Sequence, residues 1–462
     1  TYASSPGDWF TTVYDGFVIL SQAKLAVQDA IRQIKSGVSL KTDQKGFKKV
    51  MATAGVSKDV NLYINQKHFA QFMSKYMGSS GKNAFERLET FAEWSELDLI
   101  VKSNGLYLNG YSYAQDSLGG YLTVMDNQNS QNIDVIDILP SSTAFFLHYG
   151  ISDYKSYDAA YQNYLRVRNK LSSRNQENET LKSAGIDING LLEKHLVGEV
   201  AMCISEIPTT IKGQGIGAIQ SKSYGLIRLI NKAAFLESIQ PLLGSDGEAD
   251  SHTQYRETEI YALKYAKFMQ QAFGRPFGAV ACNYMMFVEN YVVFGDQLAS
   301  MRDFINNWKG NKTLSTDEHF ESFRDNLSDQ SNITLYCNIS RSPHFWHYFT
   351  NNNISDTIEN NKEKIHHRTK ISYEKTLHRG NKYTGSETNI YMNNNETQYL
   401  LTEKQLLQGE FLTDREINIF LRKIVEYNKV NHINILGLSD PIESEYRRNN
   451  RIIKRYDGTF VE

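Results

Sequence analysis

One pattern in the chain returns 274 positions later, and nothing else in the sequence restricts the fold as much. Phe17 is answered by Tyr291, Ile31 by Ile305, Leu40 by Leu314 and Asp43 by Asp317, all at an offset of 274. Phe47 with Phe320 and Tyr63 with Tyr336 follow at 273, so one deletion keeps the register over about fifty residues. Solenoid units are far shorter, roughly 20–50 residues. The offset predicts two copies of one domain.

Each copy reads as a hairpin, a helix and a strand. In the first, residues 10–13 and 17–20 flank Asp15-Gly16, a pair suited to a tight hairpin turn. Residues 22–35 put Leu25, Val27, Ala30, Ile31 and Ile34 on one helical stripe, and Ser36-Gly37 ends it. A strand follows at 60–65. In the second, Glu289-Asn290 turns between 284–287 and 291–294. Residues 297–308 carry Leu298, Met301, Phe304, Ile305 and Trp308 on one face, Lys309-Gly310 stops the helix, and 333–338 is a strand.

Between the copies the spacing predicts helices over 67–77 and 82–93. A hairpin follows, in which Leu97, Leu99 and Val101 alternate, Asn104-Gly105 turns, and Leu106, Leu108 and Tyr111 return. Leu139-Pro140 opens a strand that reaches His148. The series continues with a helix over 154–167, a polar loop over 172–180 and a helix over 191–195. Strands at 199–205 and 217–220, a helix over 226–243 and a strand at 259–263 complete it. The predicted fold class is α+β, two repeated domains of antiparallel sheet with helices packed on one face.

Composition narrows the class of protein. Of 462 residues, 40% are apolar and 22% charged, which excludes a disordered chain, a collagen or a coiled coil. The net charge is −2, so no global field attracts nucleic acid or an anionic membrane. No apolar run reaches the 18 residues of a membrane span, and no signal peptide is visible after Thr1. Cys203, Cys282 and Cys337 are odd in number and sit in apolar strand-like runs, which predicts buried small hydrophobes rather than a disulfide framework.

Several motifs resemble functional sites and fail on spacing. Gly213, Gly215 and Gly217 lack the preceding strand and following helix of a dinucleotide loop. Gly78 to Asn83 has Tyr76 where a phosphate loop needs glycine and Asn83 where it needs Ser or Thr, so it reads as a linker between helices. Asp246 to Asp250 lacks the alternating ligands of a calcium loop. His344 and His347 share a helix face at i, i+3, but no partner ligand stands at zinc spacing; His366, His367 and His378 lie in a basic stretch. That stretch, with Tyr373, Tyr383 and Tyr391, reads as a solvated charge run rather than a nucleic-acid surface. No Gly-x-Ser-x-Gly or HExxH occurs. No catalytic, cofactor-binding or metal residue is assigned.

The words Leu139-Pro140-Ser-Ser-Thr-Ala144, Trp94-Ser-Glu-Leu-Asp98 and Asn61-Leu-Tyr-Ile-Asn65, with the hairpin-helix units around Phe17 and Tyr291, resemble a bacterial domain-of-unknown-function family of extracytoplasmic proteins. The resemblance spans about residues 8–360. It implies tethering to the envelope by an N-terminal lipid or membrane anchor, and it brings no catalytic residues. In that family each copy opens with a Leu/Ile-Pro strand. The same offset would place the first copy's opening about 135 residues ahead of Thr1, so a first repeat lacking its front is expected over 1–138. A second repeat is expected over 139–360 and an atypical polar, basic tail, non-native or weakly folded, over 361–462. The functional expectation is a non-enzymatic binding or structural module of the cell envelope, without cofactors, that meets a protein or glycan partner. The alternatives are an extracytoplasmic hydrolase and nucleic-acid binding through the basic tail.

Overall fold

The computed structural model describes residues 9–54, 60–79, 81–82, 88–102, 105–114, 119–183, 185–207, 216–244, 251–324, 328–338, 341–342, 348–351, 353–354, 356–357, 370–377 and 385–393. Among these residues seventeen strands run in chain order as β1 Phe10–Tyr14, β2 Phe17–Ser21, β3 Val60–Asn65, β4 Trp94–Lys102, β5 Gly105–Tyr113, β6 Gln131–Asn132, β7 Thr143–Ile151, β8 Leu196–Ser205, β9 Ser223–Leu229, β10 His252–Tyr255, β11 Thr258–Ala262, β12 Tyr284–Val288, β13 Tyr291–Gly295, β14 Gln330–Ser331, β15 Ile333–Asn338, β16 Lys370–Leu377 and β17 Gly385–Asn393. Thirteen form one sheet in the order β10-β11-β12-β13-β9-β8-β7-β15-β16-β17-β5-β4-β3. Among the described residues β1 pairs only with β2, and β6 with β14. Hairpins, sheet and helices together make the fold α+β, as expected.

Strand alternation sends neighbouring side chains to opposite faces. On one face Val292 and Phe294 join Tyr149, Val200 and Ile227 beneath Tyr157 and Tyr161 of the helix Tyr154–Val167 and Phe268 and Phe273 of the helix Phe268–Phe273. On the other, Tyr291 and Val293 join Phe146, Leu226 and Tyr336 beneath Met301, Phe304 and Ile305 of the helix Leu298–Lys309. The expected helical layer on one face is thus joined by a second on the other.

Several elements begin at the same offset as the sequence pattern. β1 and β12 start at 10 and 284, β2 and β13 at 17 and 291, and the helices Lys24–Ser36 and Leu298–Lys309 at 24 and 298. The turns that follow are capped alike: the Ser39 and Thr42 side chains reciprocally bond each other's backbone N–H, as do those of Thr313 and Thr316. Asp15 and Gly16 take φ of 49° and 79°, the left-handed pair that lets a two-residue turn follow the twist of its strands.

Four sequence expectations are corrected. Residues 172–180 are not a loop but belong to the helix Leu171–Ser183, which buries Leu181 and Arg174. Arg174 sets its guanidinium 2.6 Å from Asp158 of the preceding helix, so a tertiary ion pair overrides a polar sequence. Residues 226–229 end β9 instead of opening a helix, because a continuous apolar run between β8 and β13 is a buried strand. The helix starts only at Lys232, where Asn231 accepts the Ala234 N–H. Residues 217–220 are helical, within Ile216–Gln220, where Ala218 and Ile219 are buried. The described part of 82–93 ends in a 3-10 turn, Leu88–Thr90, before β4 begins.

Candidate functional site

Charged groups occur where the strands of the main sheet are otherwise apolar. Glu199 on β8 is buried, and its carboxylate accepts the Tyr291 hydroxyl from β13 and, at 3.2 Å, the Val135 N–H. Arg228 on β9 lies directly opposite Tyr291, with Nη1 3.3 Å from Glu199 and 2.8 Å from Asp134. His148 on β7 is fully buried with Nε2 3.3 Å from Glu199, near enough for an ion pair when protonated but not aligned as a hydrogen bond. Burial pushes the Glu199 carboxyl up, yet His148, the Tyr291 hydroxyl and the Val135 N–H outweigh it and hold the group below the usual carboxylate range. Burial, and then the Glu199 charge, push the Tyr291 phenol up. The carboxylate is satisfied on every side and closed to water. It joins β7, β8, β9, β13 and the turn Asp134–Asp137 rather than offering a free base.

A second buried carboxyl sits on β4. Glu96 is fully buried, opposite Tyr63 of β3 and Tyr111 of β5. Burial and the neighbouring Asp98 carboxyl push Glu96 up to about 7, with Asn61 acting in the opposite direction. Asn61 donates to Asp98 at 2.6 Å. A carboxyl raised in this way is a candidate acid, but a fully buried Glu96 offers no face to a substrate.

The exposed candidate is aromatic. The helix Gln66–Ser74 follows β3, its first turn capped by Asn65, which accepts the His68 N–H at 3.0 Å. Ala70 faces inward, while Phe69, Phe72 and Tyr76 are 38%, 52% and 41% exposed. Phe69 and Phe72 lie on the helix and Tyr76 in the turn just after it, and their i, i+3, i+7 spacing makes one stripe. The Phe72 and Tyr76 rings meet edge to face with centroids 5.4 Å apart. The sequence marked this segment as a helix but not its outward face; the spacing was the available signal.

The residues singled out by motif do not converge on a site. Gly213 and Gly215, Asp246 to Asp250, His344, His347, His366, His367, His378 and Tyr383 lie outside the described residues, as does the chain after 393. Gly217 is helical. Gly78 accepts the Lys82 N–H and donates to the Phe349 carbonyl, a structural linker. Cys203, Cys282 and Cys337 are buried and unpaired, each thiol pushed up by burial. Among the described residues no group of three or more His, Cys, Asp or Glu could hold a metal ion, and no helix is long and apolar enough to cross a membrane.

The fold and its buried network define an α+β sheet protein with a closed polar interior and an aromatic helix face outside. Within it, residues 220–369, from just before β9 to just before β16, match the model of a family described as a protein of unknown function, DUF3352. No curated protein and no solved structure matches the chain.

Proposed function

We propose that the chain consists of two copies of one α+β unit and serves as a non-enzymatic, extracytoplasmic envelope protein that binds a protein partner through the aromatic stripe of Phe69, Phe72 and Tyr76. The stripe is the observation that carries the binding role. Exposed aromatics in a row supply large contact area at low entropic cost and are enriched in interface centres. The envelope location rests on the resemblance of the sequence words alone.

The duplication draws support from the shared offset of hairpin, helix and capped turn. Strand order adds to it. β3·β4·β5 and β15·β16·β17 are both antiparallel triplets, and they meet where β5 pairs with β17 in register, Asn109 opposite Asn389. In this reading β16 and β17 are the second unit's counterparts of β4 and β5, and that unit extends to Asn393.

A photo-crosslinking residue placed at Phe72 in the native host tests the binding role. The expected result is one discrete protein adduct in the extracytoplasmic fraction, lost when Phe69 and Tyr76 are changed to serine. No adduct, or one indifferent to those changes, removes the stripe as the binding surface.

A further inference from the structure

Resting on that reading of the aromatic stripe, we propose that its partner offers an acidic amphipathic segment, with apolar side chains seated on Phe69, Phe72 and Tyr76 and carboxylates paired with the lysines around them. The surroundings of the stripe are basic. Residues 60–85 hold Lys67, Lys75 and Lys82 and neither aspartate nor glutamate. Residues 1–85 carry eleven Lys and Arg against five Asp, a balance of +6 in a chain of −2. Lys67, Lys75 and Lys82 are all exposed. Among the described residues the ion-paired lysines are Lys155, Lys222 and Lys309, and these three are not. The elements packed most closely on the helix Gln66–Ser74, β3 and the turn Leu88–Thr90, add one carboxylate, Glu89.

Spacing sets charge beside ring. Lys75 follows Phe72 at i+3 and His68 precedes it at i−4, so both border the stripe on the Phe72 side. Asn351 fixes this end of the helix from far along the chain. Its N–H donates to the Tyr76 carbonyl at 3.0 Å and its side-chain amide to the Lys75 carbonyl at 3.1 Å. A surface already held in place loses little freedom on binding. The same features choose the occupant. A polyanion without apolar groups would leave the rings in water. An anionic bilayer would need them to sink about 5–10 Å into the headgroup boundary, and the fold already covers most of Phe69 and Tyr76. A protein segment with Asp or Glu beside its apolar residues satisfies both the rings and the lysines.

The test places the photo-crosslinking residue at Phe72 of the full chain in the native host and sequences the crosslinked peptide by mass spectrometry. It is repeated with Lys75→Glu, Lys75→Gln and Lys232→Glu. Lys75 lends Asn351 only its carbonyl, so changes to its side chain leave the helix end in place. Lys232, exposed on the helix Lys232–Ile239, makes the same change in net charge elsewhere in the chain. The expected adduct lies on a peptide with Asp or Glu within one helical turn of its apolar crosslinked residue. Its yield falls about tenfold with Lys75→Glu, less with Lys75→Gln, and not with Lys232→Glu. A peptide without acidic residues, a yield indifferent to Lys75→Glu, or an equal loss with Lys232→Glu overturns the acidic specificity and leaves the stripe as a protein-binding surface. A phospholipid adduct overturns it in favour of a membrane. No adduct in any of the chains removes the stripe itself, and this inference with it.

Discussion

Phe17 and Tyr291 hold the same place in two hairpins, each the first residue of its second strand, yet Phe17 is 62% exposed and Tyr291 5%. The difference follows from their surroundings. Tyr291 lies against β9 and gives its hydroxyl to Glu199, whereas the outer edge of β2 pairs with no described strand. Tyr291→Phe should therefore destabilise the fold by about 1–3 kcal/mol, the cost of a buried acceptor losing its donor. Phe17→Tyr should stay within about 0.5 kcal/mol, as an exposed substitution does. Urea denaturation of the two variants decides it; equal effects would refute the locking role of Tyr291.

The two buried carboxyls oppose each other in pH dependence. Glu96 is raised, to about 7, so its neutral form suits the folded state. Its contribution is fully present below the unfolded carboxyl range near pH 4.5 and is lost as pH rises through about 7, a change of about 1–3 kcal/mol. Glu199 is lowered, so its contribution is present above the unfolded range and is lost as pH falls below it. Glu96→Gln should flatten the fall in stability between pH 5 and 8, while Glu199→Gln should flatten the loss on the acid side. Melting temperatures of both variants across pH 3–8 measure this, and unaltered profiles would show that neither group titrates as described.

How much of this was legible in the sequence depends on which force set each element. The second hairpin, its helix and β15 could be read because local pattern and burial agree: Met301, Phe304 and Ile305 make one stripe and are buried together; the first hairpin and helix were legible from pattern alone, since Phe17, Val18, Leu20 and Leu25 stay exposed. The helix Leu171–Ser183 was missed because its polar sequence is held by Arg174 reaching Asp158, a contact between helices. β9 was missed because a fully buried central strand and a buried helix share one apolar run. The Glu199 network left only isolated charges in apolar strands, Glu199, His148 and Arg228, whose convergence across three strands is a property of register. The aromatic stripe was legible in spacing, but which side of the helix faces outward is fixed only by the packing of Ala70.

Arg174 gives a direct measure of that override. Its guanidinium and the Asp158 carboxylate are both largely shielded, and Gln271 ties the helix further through the Arg174 carbonyl at 3.2 Å. Arg174→Ala should cost about 1–3 kcal/mol, since Asp158 loses its buried cation and keeps only the amide donors of Gln162 at 2.6 Å and Asn189 at 3.3 Å. The amides of Leu171–Ser183 should then exchange faster than those of Tyr154–Val167. Equal acceleration in both helices would mean that the ion pair supports the whole layer rather than this helix.

Gly274 is expected to be intolerant of a side chain for two reasons. Its φ of 88° lies in the left-handed region, and a Cβ there would stand 2.1 Å from the Tyr161 hydroxyl oxygen. The first term costs about 1–2 kcal/mol and the second forces Tyr161 out of its stack with Tyr157, whose centroid lies 6.1 Å away. Gly274→Ala should therefore lose more than about 2 kcal/mol, whereas Gly274→Ala with Tyr161→Phe should recover part of it by removing the clashing oxygen. No recovery in the double variant would assign the cost to the backbone alone.

Exposed apolar edges carry a solubility consequence separate from stability. Val18 and Leu20 project from β2 at 73% and 56% exposure, and such an edge can pair with any other strand. Because these side chains bury little in the chain as it stands, Val18→Ser and Leu20→Ser should change the unfolding free energy by no more than about 0.5 kcal/mol each. They should nevertheless reduce light scattering on storage at high concentration, since the self-pairing edge loses its apolar face. The matching changes in the second unit, Val292→Ser and Phe294→Ser, should behave in the opposite way. Both sites are fully buried there, so each change should cost several kcal/mol and raise scattering through unfolding. Scattering that is unaffected by the β2 changes, or stability that falls as much as with the β13 changes, would show that β2 is covered in solution.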